Sequence, residues 1–369
     1  MTRDGAHLRA DFDGTIVSQS GADEQTRFLP ISDAELDVLR FIASNDWVVR
    51  SSGKIVPRAA VSLGQWFGLR FDSLQVDLRY HLPLDLSQWP FRLTLFQDAW
   101  RIEQVCLYRP LIYFTAFRSP ATIEQLLLSI RSLVEIGGYK GDILVLTDRT
   151  RDALVSQLPN LEPARLWVYN TEPTDFAGYV ASKYAILDID WAAQFQPVAF
   201  MDPDIVFDAD VAPLLATIAR GDRIAAPLEP FSPLATAPSV GSGLLQLDGL
   251  SPRSAAGVNC GTIGIPNIAA HATALRTIRT IILNRADAFG RENSGWIDQE
   301  AANYVSFRLA DFDTASITPY CRFGGWSEND TNVAHRAGLV HFWPAGKSEA
   351  KVAAMRAYRE RLDALLGPI

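Results

Sequence analysis

The sequence predicts an α/β protein with a mostly parallel sheet, preceded by a small α+β domain. Two observations lead to this prediction. After about residue 105, apolar runs of strand length alternate with helical patterns, as they do in α/β domains. Before that point the chain is rich in tryptophan and arginine, and its elements are short and mixed. A chain of 369 residues is long enough for one large domain or two of ordinary size.

The composition narrows the class of protein. A hydrophobic fraction of 48% with 21% charged residues is ordinary for a soluble globular chain, and the net charge of −8 argues against nucleic-acid binding. No stretch approaches the roughly 20 apolar residues of a membrane span, and the first residues contain no apolar signal core. The three cysteines form neither a zinc pattern nor a disulfide framework. We therefore expect a cytoplasmic protein.

The segment 1–105 carries local signals for both helices and strands. A capping box at 32–35 precedes an apolar helical pattern, and Pro57 is placed to open a second helix. Short strands are expected at 8–17 and 48–55. These elements faintly resemble the winged helix-turn-helix domain that binds peptide in enzymes that modify ribosomally made peptides. An accessory or oligomerisation domain is the simpler interpretation, and a homo-oligomer is compatible with it.

Residues 106–348 are predicted to form the main domain. Its elements are, in order, a strand at 111–117, a helix at 121–134, strands at 142–147 and 165–169, and a helix at 182–191. The apolar residues of the first helix recur at helical spacing, and Gly137 and Gly138 end it. The first strand, the helix and the second strand should form a right-handed crossover between parallel strands. A C-terminal helix over 349–369 closes the chain.

Two aspartates, Asp202 and Asp204, are the most informative residues of the chain. They lie between the apolar runs 198–201 and 205–207, and Pro203 between them cannot donate to a sheet. A buried strand therefore delivers both carboxylates at its carboxyl end, where open α/β sheets bind ligands. Two close carboxylates repel unless a cation lies between them, and oxygen ligands suit Mg²⁺ or Mn²⁺ with substrate phosphates. We predict a metal–diphosphate site; a simple turn is the alternative.

Several segments of the main domain occur in an informative order. They are 112–118 (IYFTAFR), 182–184 (SKY), 201–206 (MDPDIV), 258–264 (VNCGTIG), 296–303 (WIDQEAAN) and 341–347 (HFWPAGK). Together they resemble the glycosyltransferase family that includes glycogenin and the bacterial lipopolysaccharide galactosyltransferases (family 8, GT-A fold). The resemblance covers roughly residues 110–348 and implies a mixed, mostly parallel sheet flanked by helices. The first strand would cradle a nucleotide base, with Phe117 and Asp148 beside it. The pattern departs from the family at Pro344, where a glycine is expected.

The resemblance also implies a metal site and its surroundings. Asp202 and Asp204 would bind Mn²⁺ or Mg²⁺ against the donor diphosphate. His341 would be a third ligand, because imidazole suits Mn²⁺ better than Mg²⁺. Lys347 would pair with diphosphate oxygens, and Lys183 with the donor sugar or its phosphate. The alternatives are a structural histidine and two solvated lysines.

The remaining residues are assigned to the sugar. Asn259 would hydrogen-bond the donor sugar, and Gly261 would admit close approach of the backbone. Gln299 is placed at the reacting face, near the anomeric carbon. Asp298 would accept hydrogen bonds from sugar hydroxyls or, in the alternative interpretation, cap a helix.

The implied activity is metal-dependent transfer of a hexose from a nucleoside diphosphate sugar, first of all a UDP-sugar, with retention of anomeric configuration. The acceptor would be a saccharide, a lipid-linked glycan or a peptide. Because Gln299 is a poor nucleophile, a front-side path assisted by the leaving phosphate oxygen fits better than double displacement.

An inactive sugar-nucleotide-binding or scaffold protein is an alternative, for which Pro203 and Pro344 leave room. A nucleotidyltransferase is another, but 117–122 lacks its Gly-rich basic loop.

Overall fold

The structure is a computed structural model that describes residues 7–10, 16–19, 46–57, 92–98, 101–229, 233–250, 256–289, 297–325 and 328–367. The strands are β1 (His7–Ala10), β2 (Ile16–Gln19), β3 (Trp47–Val49), β4 (Ile55–Pro57), β5 (Arg92–Asp98), β6 (Arg101–Tyr108), β7 (Leu111–Ala116), β8 (Asp142–Thr147), β9 (Leu166–Asn170), β10 (Val198–Met201), β11 (Ile205–Phe207), β12 (Thr262–Ile265), β13 (Cys321–Phe323) and β14 (Leu339–His341). The α-helices are α1 (Pro120–Glu135), α2 (Arg151–Val155), α3 (Phe176–Ala181), α4 (Ala212–Arg220), α5 (Ser242–Leu247), α6 (Ile268–Phe289), α7 (Ile297–Val305) and α8 (Ser348–Leu366).

A five-stranded sheet lies at the centre, in the order β12-β10-β7-β8-β9. The pairs β10–β7, β7–β8 and β8–β9 are parallel, and β12 is antiparallel to β10. Parallel neighbours need long connections, and α1 supplies the one between β7 and β8. The sheet is therefore mixed and mostly parallel, which confirms the predicted architecture.

The central sheet is buried on both faces. Side chains alternate along β7, so that Leu111 and Tyr113 face one apolar cluster while Ile112 and Phe114 face the other. Helix α1 covers the face that carries Ile112 and Phe114. Helix α6 belongs to the cluster on the face that carries Leu111 and Tyr113. Each large apolar side chain buried in this way contributes roughly 1.5–3 kcal/mol of transfer free energy. The two layers of helices hold the carboxyl ends of the strands in a fixed position.

A second, small sheet of three strands has the order β11-β14-β13. Strand β11 is antiparallel to β14, with Ile205 opposite His341. Helix α8 packs on this sheet through a separate apolar cluster, formed by Val206, Val340, Phe342, Met355, Tyr358 and Leu362. The backbone oxygen of Ser348 at the start of α8 accepts a 2.8 Å hydrogen bond from Gln125 of α1. The small sheet and α8 thus form one packed unit beside the central sheet.

Asp208, directly after β11, ties this unit together. Its carboxylate is fully buried and accepts hydrogen bonds from the backbone nitrogens of Gly338 (2.9 Å) and Ala337 (3.2 Å). Its other oxygen accepts from the hydroxyl of Tyr358 at 2.8 Å and from the guanidinium of Arg322. Burial of a single carboxylate is costly, and these four donors offset the cost.

Most element predictions for the main domain are confirmed, and one differs in detail. The strand at 142–147 has the expected bounds, and the helix expected at 121–134 extends by one residue at each end. The helix expected at 182–191 is divided, because two 3₁₀ helices occupy Ser182–Asp188 and Asp190–Gln194. Ile189 between them has extended backbone (φ −108°, ψ 91°), which interrupts helical hydrogen bonding.

Each of the two N-terminal spans expected to hold short strands contains an antiparallel hairpin, β1–β2 and β3–β4. The second joins a four-stranded sheet of order β4-β3-β6-β5. The helices expected after residues 32 and 57 lie outside the described residues, so the winged helix stays a prediction. The domain boundary predicted at residue 105 falls within β6 and also stays a prediction. No described helix has the length and hydrophobicity that a membrane span requires.

All three thiols are expected to be inert in the folded protein. Cys106, Cys260 and Cys321 are buried thiols that form no disulfide. Burial raises the pKa of Cys321 to about 12 and that of Cys260 well above its usual value, so the reactive thiolate is scarce. Alkylation by iodoacetamide at pH 8, followed by intact-mass measurement, should add no label before denaturation and three labels after it. Labelling of any site in the native protein would contradict this expectation.

Candidate functional site

The acidic pair lies where the chain passes from the central sheet to the small sheet. β10 ends at Met201 and β11 begins at Ile205, so Asp202 and Asp204 occupy the connection. The backbone nitrogen of Asp202 donates to Gly261 at 2.8 Å. The backbone oxygen of Asp204 accepts from the nitrogen of Phe342, in the small-sheet unit, at 2.9 Å. Both aspartates are therefore fixed by backbone contacts, one to each side.

His341, the last residue of β14, completes a compact group with the two aspartates. Its Nε2 atom lies 3.1 Å from Oδ1 of Asp204 and 3.6 Å from Oδ2 of Asp202. Suitable ligand atoms of the three residues all lie within 4.8 Å of one another. Gly261 packs against the ring, and an added Cβ there would lie 2.1 Å from Cε1 of His341. The missing side chain at 261 leaves the space that the imidazole fills.

Two lysines face the acidic pair, and they give its members different environments. Nζ of Lys183 lies 3.2 Å from Oδ1 of Asp202 and 2.6 Å from Oδ2 of Asp298. Nζ of Lys351, in the first turn of α8, lies 2.6 Å from Oδ2 of Asp204. Burial of Lys183 opposes its charge, but Asp202 and Asp298 outweigh burial and raise its pKa.

The pKa values of the two aspartates move in opposite directions. Burial raises the pKa of Asp202, although Lys183 opposes the change. Burial also disfavours the charge of Asp204, but His341 and Lys351 outweigh it and hold the pKa of this carboxyl well below its usual range. Asp204 is therefore held as an anion at neutral pH by His341 and Lys351.

A second hydrogen-bonded group lies beside the aspartates. The side-chain amide of Asn259 donates to the carboxylate of Glu229, and its oxygen accepts from the nitrogen of Gly261 at 2.9 Å. Burial is the main cause that raises the pKa of Glu229. The backbone nitrogen of Cys260 donates to Oε1 of Gln299 at 3.3 Å. Asn259, Gly261 and Gln299 are thus held by specific contacts near His341.

These residues surround one cavity of about 560 Å³, a size typical of small-molecule sites. Eight residues selected from the sequence line it: Lys183, Asp202, Asp204, Asn259, Gly261, Asp298, Gln299 and His341. Asp298 lies in the first turn of α7 and pairs with Lys183, so the helix-capping alternative is not what the structure contains. The cavity brings together the residues expected to act on metal, phosphate and sugar.

Three other predicted residues lie elsewhere. Phe117 is fully buried, and its backbone oxygen accepts a hydrogen bond from Tyr179. Asp148 accepts a 3.0 Å hydrogen bond from the nitrogen of Arg118. Lys347 is exposed just before α8 and does not line the cavity. Their roles toward base and phosphate stay predictions.

Two charged residues that line the cavity, Lys351 and Glu229, were not predicted from the sequence. Lys351 lies one helical turn after Lys347, to whose backbone oxygen its nitrogen donates at 3.0 Å. The amphipathic helix that starts at 348 is the signal that could have identified it, because its first turn directly follows the segment that begins at His341. Glu229 lies in an irregular stretch with isolated bridges, where no periodic pattern marks it.

No protein-family model and no curated protein sequence matches this chain. The structure is similar to galactosyltransferase LgtC in complex with donor and acceptor sugar analogues, with a TM-score of 0.48 and 14% identity over 70% of this chain and 97% of that chain. It is also similar to mouse xyloside xylosyltransferase 1 (TM-score 0.42, 12% identity, 64% of this chain and 97% of that chain). A third similar structure is the bifunctional glycosyltransferase WbbM (TM-score 0.45, 13% identity, 69% of this chain and 51% of that chain).

Proposed function

We propose that this chain is a GT-A glycosyltransferase that moves a hexose from a nucleoside diphosphate sugar to an acceptor. The preferred donor is a UDP-sugar, and the transfer retains the anomeric configuration. Mn²⁺ or Mg²⁺ would be held by Asp202, Asp204 and His341. The observation that carries the proposal is the cavity beyond β10, where these three residues meet Lys183, Asp298 and Gln299. Carboxyl ends of strands in open α/β sheets are the usual place for such ligands.

The residues fit a divalent cation in both chemistry and charge. Two carboxylates and one imidazole form a mixed oxygen and nitrogen set, which suits Mn²⁺ well. When all are ionised, the four carboxylates that line the cavity outnumber its two lysines, so two negative charges remain. A divalent ion would balance them and would supply electrophilic stabilisation of the charge on the departing nucleoside diphosphate.

The chain's own residues would bind and orient the donor. Lys183 joins Asp202 to Asp298 and so fixes the distance between the metal ligand and the carboxylate that faces the sugar. Gln299 is oriented by the nitrogen of Cys260 and would lie near the anomeric carbon. An amide is a poor nucleophile, so we propose a front-side path. The acceptor, the cytoplasmic location and a homo-oligomer stay predictions.

A thermal-shift panel with nucleoside diphosphate sugars tests this proposal. UDP-sugars are expected to raise the melting temperature in the presence of Mn²⁺ and much less with EDTA, because ligands stabilise the folded state that binds them. Release of UDP from the sugar that stabilises most would then measure turnover. If no sugar of the panel binds and none is turned over, the proposal is contradicted. Binding without turnover would favour the inactive sugar-nucleotide-binding protein.

Gly261→Ala is expected to weaken Mn²⁺ binding by roughly 10- to 100-fold, the range for changes next to a metal ligand. The added Cβ would lie 2.6 Å from Nδ1 of His341, so the buried imidazole must move. Gly264→Ala is a matched control, because its Cβ would lie 2.6 Å from Ile218 instead. The electron paramagnetic resonance signal of free Mn²⁺ measures both affinities. Equal affinities in the two variants would contradict the assignment of His341.

A further inference from the structure

The two lysines at the acidic pair are held in very different ways. The side chain of Lys183 is 11% exposed and makes contacts with Asp202, with Asp298 and, at 3.3 Å, with the backbone oxygen of Cys260. Its ammonium also lies 4.9 Å from the centre of the Phe200 ring. With this many contacts, Lys183 is a fixed part of the site.

Lys351 is held far more loosely. Within the described part of the chain, its ammonium has one hydrogen-bonding partner, Oδ2 of Asp204 at 2.6 Å. Its side chain keeps 21% of its surface exposed and lines the cavity. A lysine has a flexible four-carbon stem and three donors, so its ammonium can change partners without movement of the helix backbone.

The position of this ammonium conflicts with a cation at the same carboxylate. Oδ2 of Asp204 binds Lys351 at 2.6 Å, while Oδ1 lies 3.1 Å from Nε2 of His341. Both oxygens of Asp204 are therefore engaged. A dication on Asp204 would lie within a few ångströms of the Lys351 ammonium, where two positive charges repel strongly in a poorly solvated site.

We infer that Lys351 competes with the divalent cation for Asp204 and moves to the diphosphate of the donor when the cation binds. This inference rests on the proposed function and adds an order of events to it. The cation binds weakly to the empty site because it must displace Lys351. A diphosphate offers the displaced ammonium a new anionic partner in the same cavity. The cation and the diphosphate therefore each increase the binding affinity of the other, and linkage makes the two increases equal.

The inference also changes the lysine that serves the phosphate. The sequence motif assigns this role to Lys347, which is exposed and outside the cavity lining. Lys351 lies one helical turn further and already faces Asp204. The positively charged partner of the diphosphate in this chain is therefore Lys351.

Mn²⁺ titration of the full chain without nucleotide tests the competition. Lys351→Met is expected to bind Mn²⁺ about tenfold more tightly than the unmodified protein, a change of about 1.4 kcal/mol. The same variant should bind UDP less tightly in saturating Mn²⁺. Lys351→Arg, which keeps the charge, should restore weak Mn²⁺ binding. These opposite effects on two ligands separate competition from structural damage, which would weaken both.

Lys347→Met is the matched control, because it removes the same charge one turn away. Its Mn²⁺ affinity without nucleotide should stay within about twofold of the unmodified protein. An equal gain in both variants would overturn the inference in favour of general electrostatics. Unchanged or weaker Mn²⁺ binding by Lys351→Met would overturn it as well, and Lys351→Gln provides the same measurement if the methionine variant melts early. If no form of the protein binds Mn²⁺, even in the presence of UDP, the proposed function is overturned instead.

Discussion

Asp204→Asn is expected to reduce donor turnover by about a thousandfold, or about 4 kcal/mol of transition-state stabilisation. The side chain of Asp204 is 7% exposed and lies between His341 and Lys351, so the amide fills the same volume but carries no charge for a cation. Release of UDP from the donor found in the thermal-shift panel, at saturating Mn²⁺, measures the effect. The melting temperature of the variant shows whether it remains folded.

Asp222→Asn provides the control for this variant. Asp222 has 76% of its side chain exposed, and its contact with Arg223 is long at 3.8 Å. This substitution removes the same charge from the surface and should leave turnover within about twofold of the unmodified rate. If Asp204→Asn retains the rate of the control while folded, the proposed metal ligands do not take part in the reaction.

Asp208→Ala is expected to lower the free energy of unfolding by about 3–5 kcal/mol, the range for a buried ion pair that loses one partner. Arg322, whose side chain is 16% exposed, would lose its carboxylate. The nitrogens of Gly338 and Ala337 would lose their acceptor. Urea unfolding, with the midpoint compared at constant slope, measures the loss.

Tyr358→Phe separates the ion pair from the hydrogen bonds of the tyrosine hydroxyl in this experiment. The phenylalanine keeps the packing of the ring and removes two hydrogen bonds, the one donated to Asp208 at 2.8 Å and the one accepted from Arg322 at 2.6 Å. Its cost should be about 2 kcal/mol. A smaller loss for Asp208→Ala than for Tyr358→Phe would show that the buried carboxylate contributes little net stability.

Continuous apolar runs predicted the strands of the central sheet well, because its side chains are buried on both faces. The run 142–147 is apolar at its four central positions, and such runs form strands in parallel sheets. The helix expected at 182–191 is divided into two 3₁₀ helices. Short-range patterns do not show where Ile189 leaves helical backbone.

The candidate site was predicted in part, and the reason lies in sequence separation. The acidic pair could be placed at a strand end from its own neighbours. The ion pair of Lys183 with Asp298 joins residues 115 apart, and that of Lys351 with Asp204 joins residues 147 apart. Spacing along the chain carries no information about contacts of this kind. Lys347 fits the motif, yet helical geometry brings Lys351 to the carboxylate.

The crossing of the chain at Pro203 means that the three candidate ligands come from two sheets. Asp202 follows β10 of the central sheet, whereas Asp204 directly precedes β11 and His341 is the last residue of β14 in the small sheet. An ion bound to all three would join the two sheets, and its removal would free the small one to open on its own. We expect Mn²⁺ to slow amide hydrogen exchange in β11 and β14 more than in β8. The ion would then contribute to the rigidity of the fold as well as to chemistry.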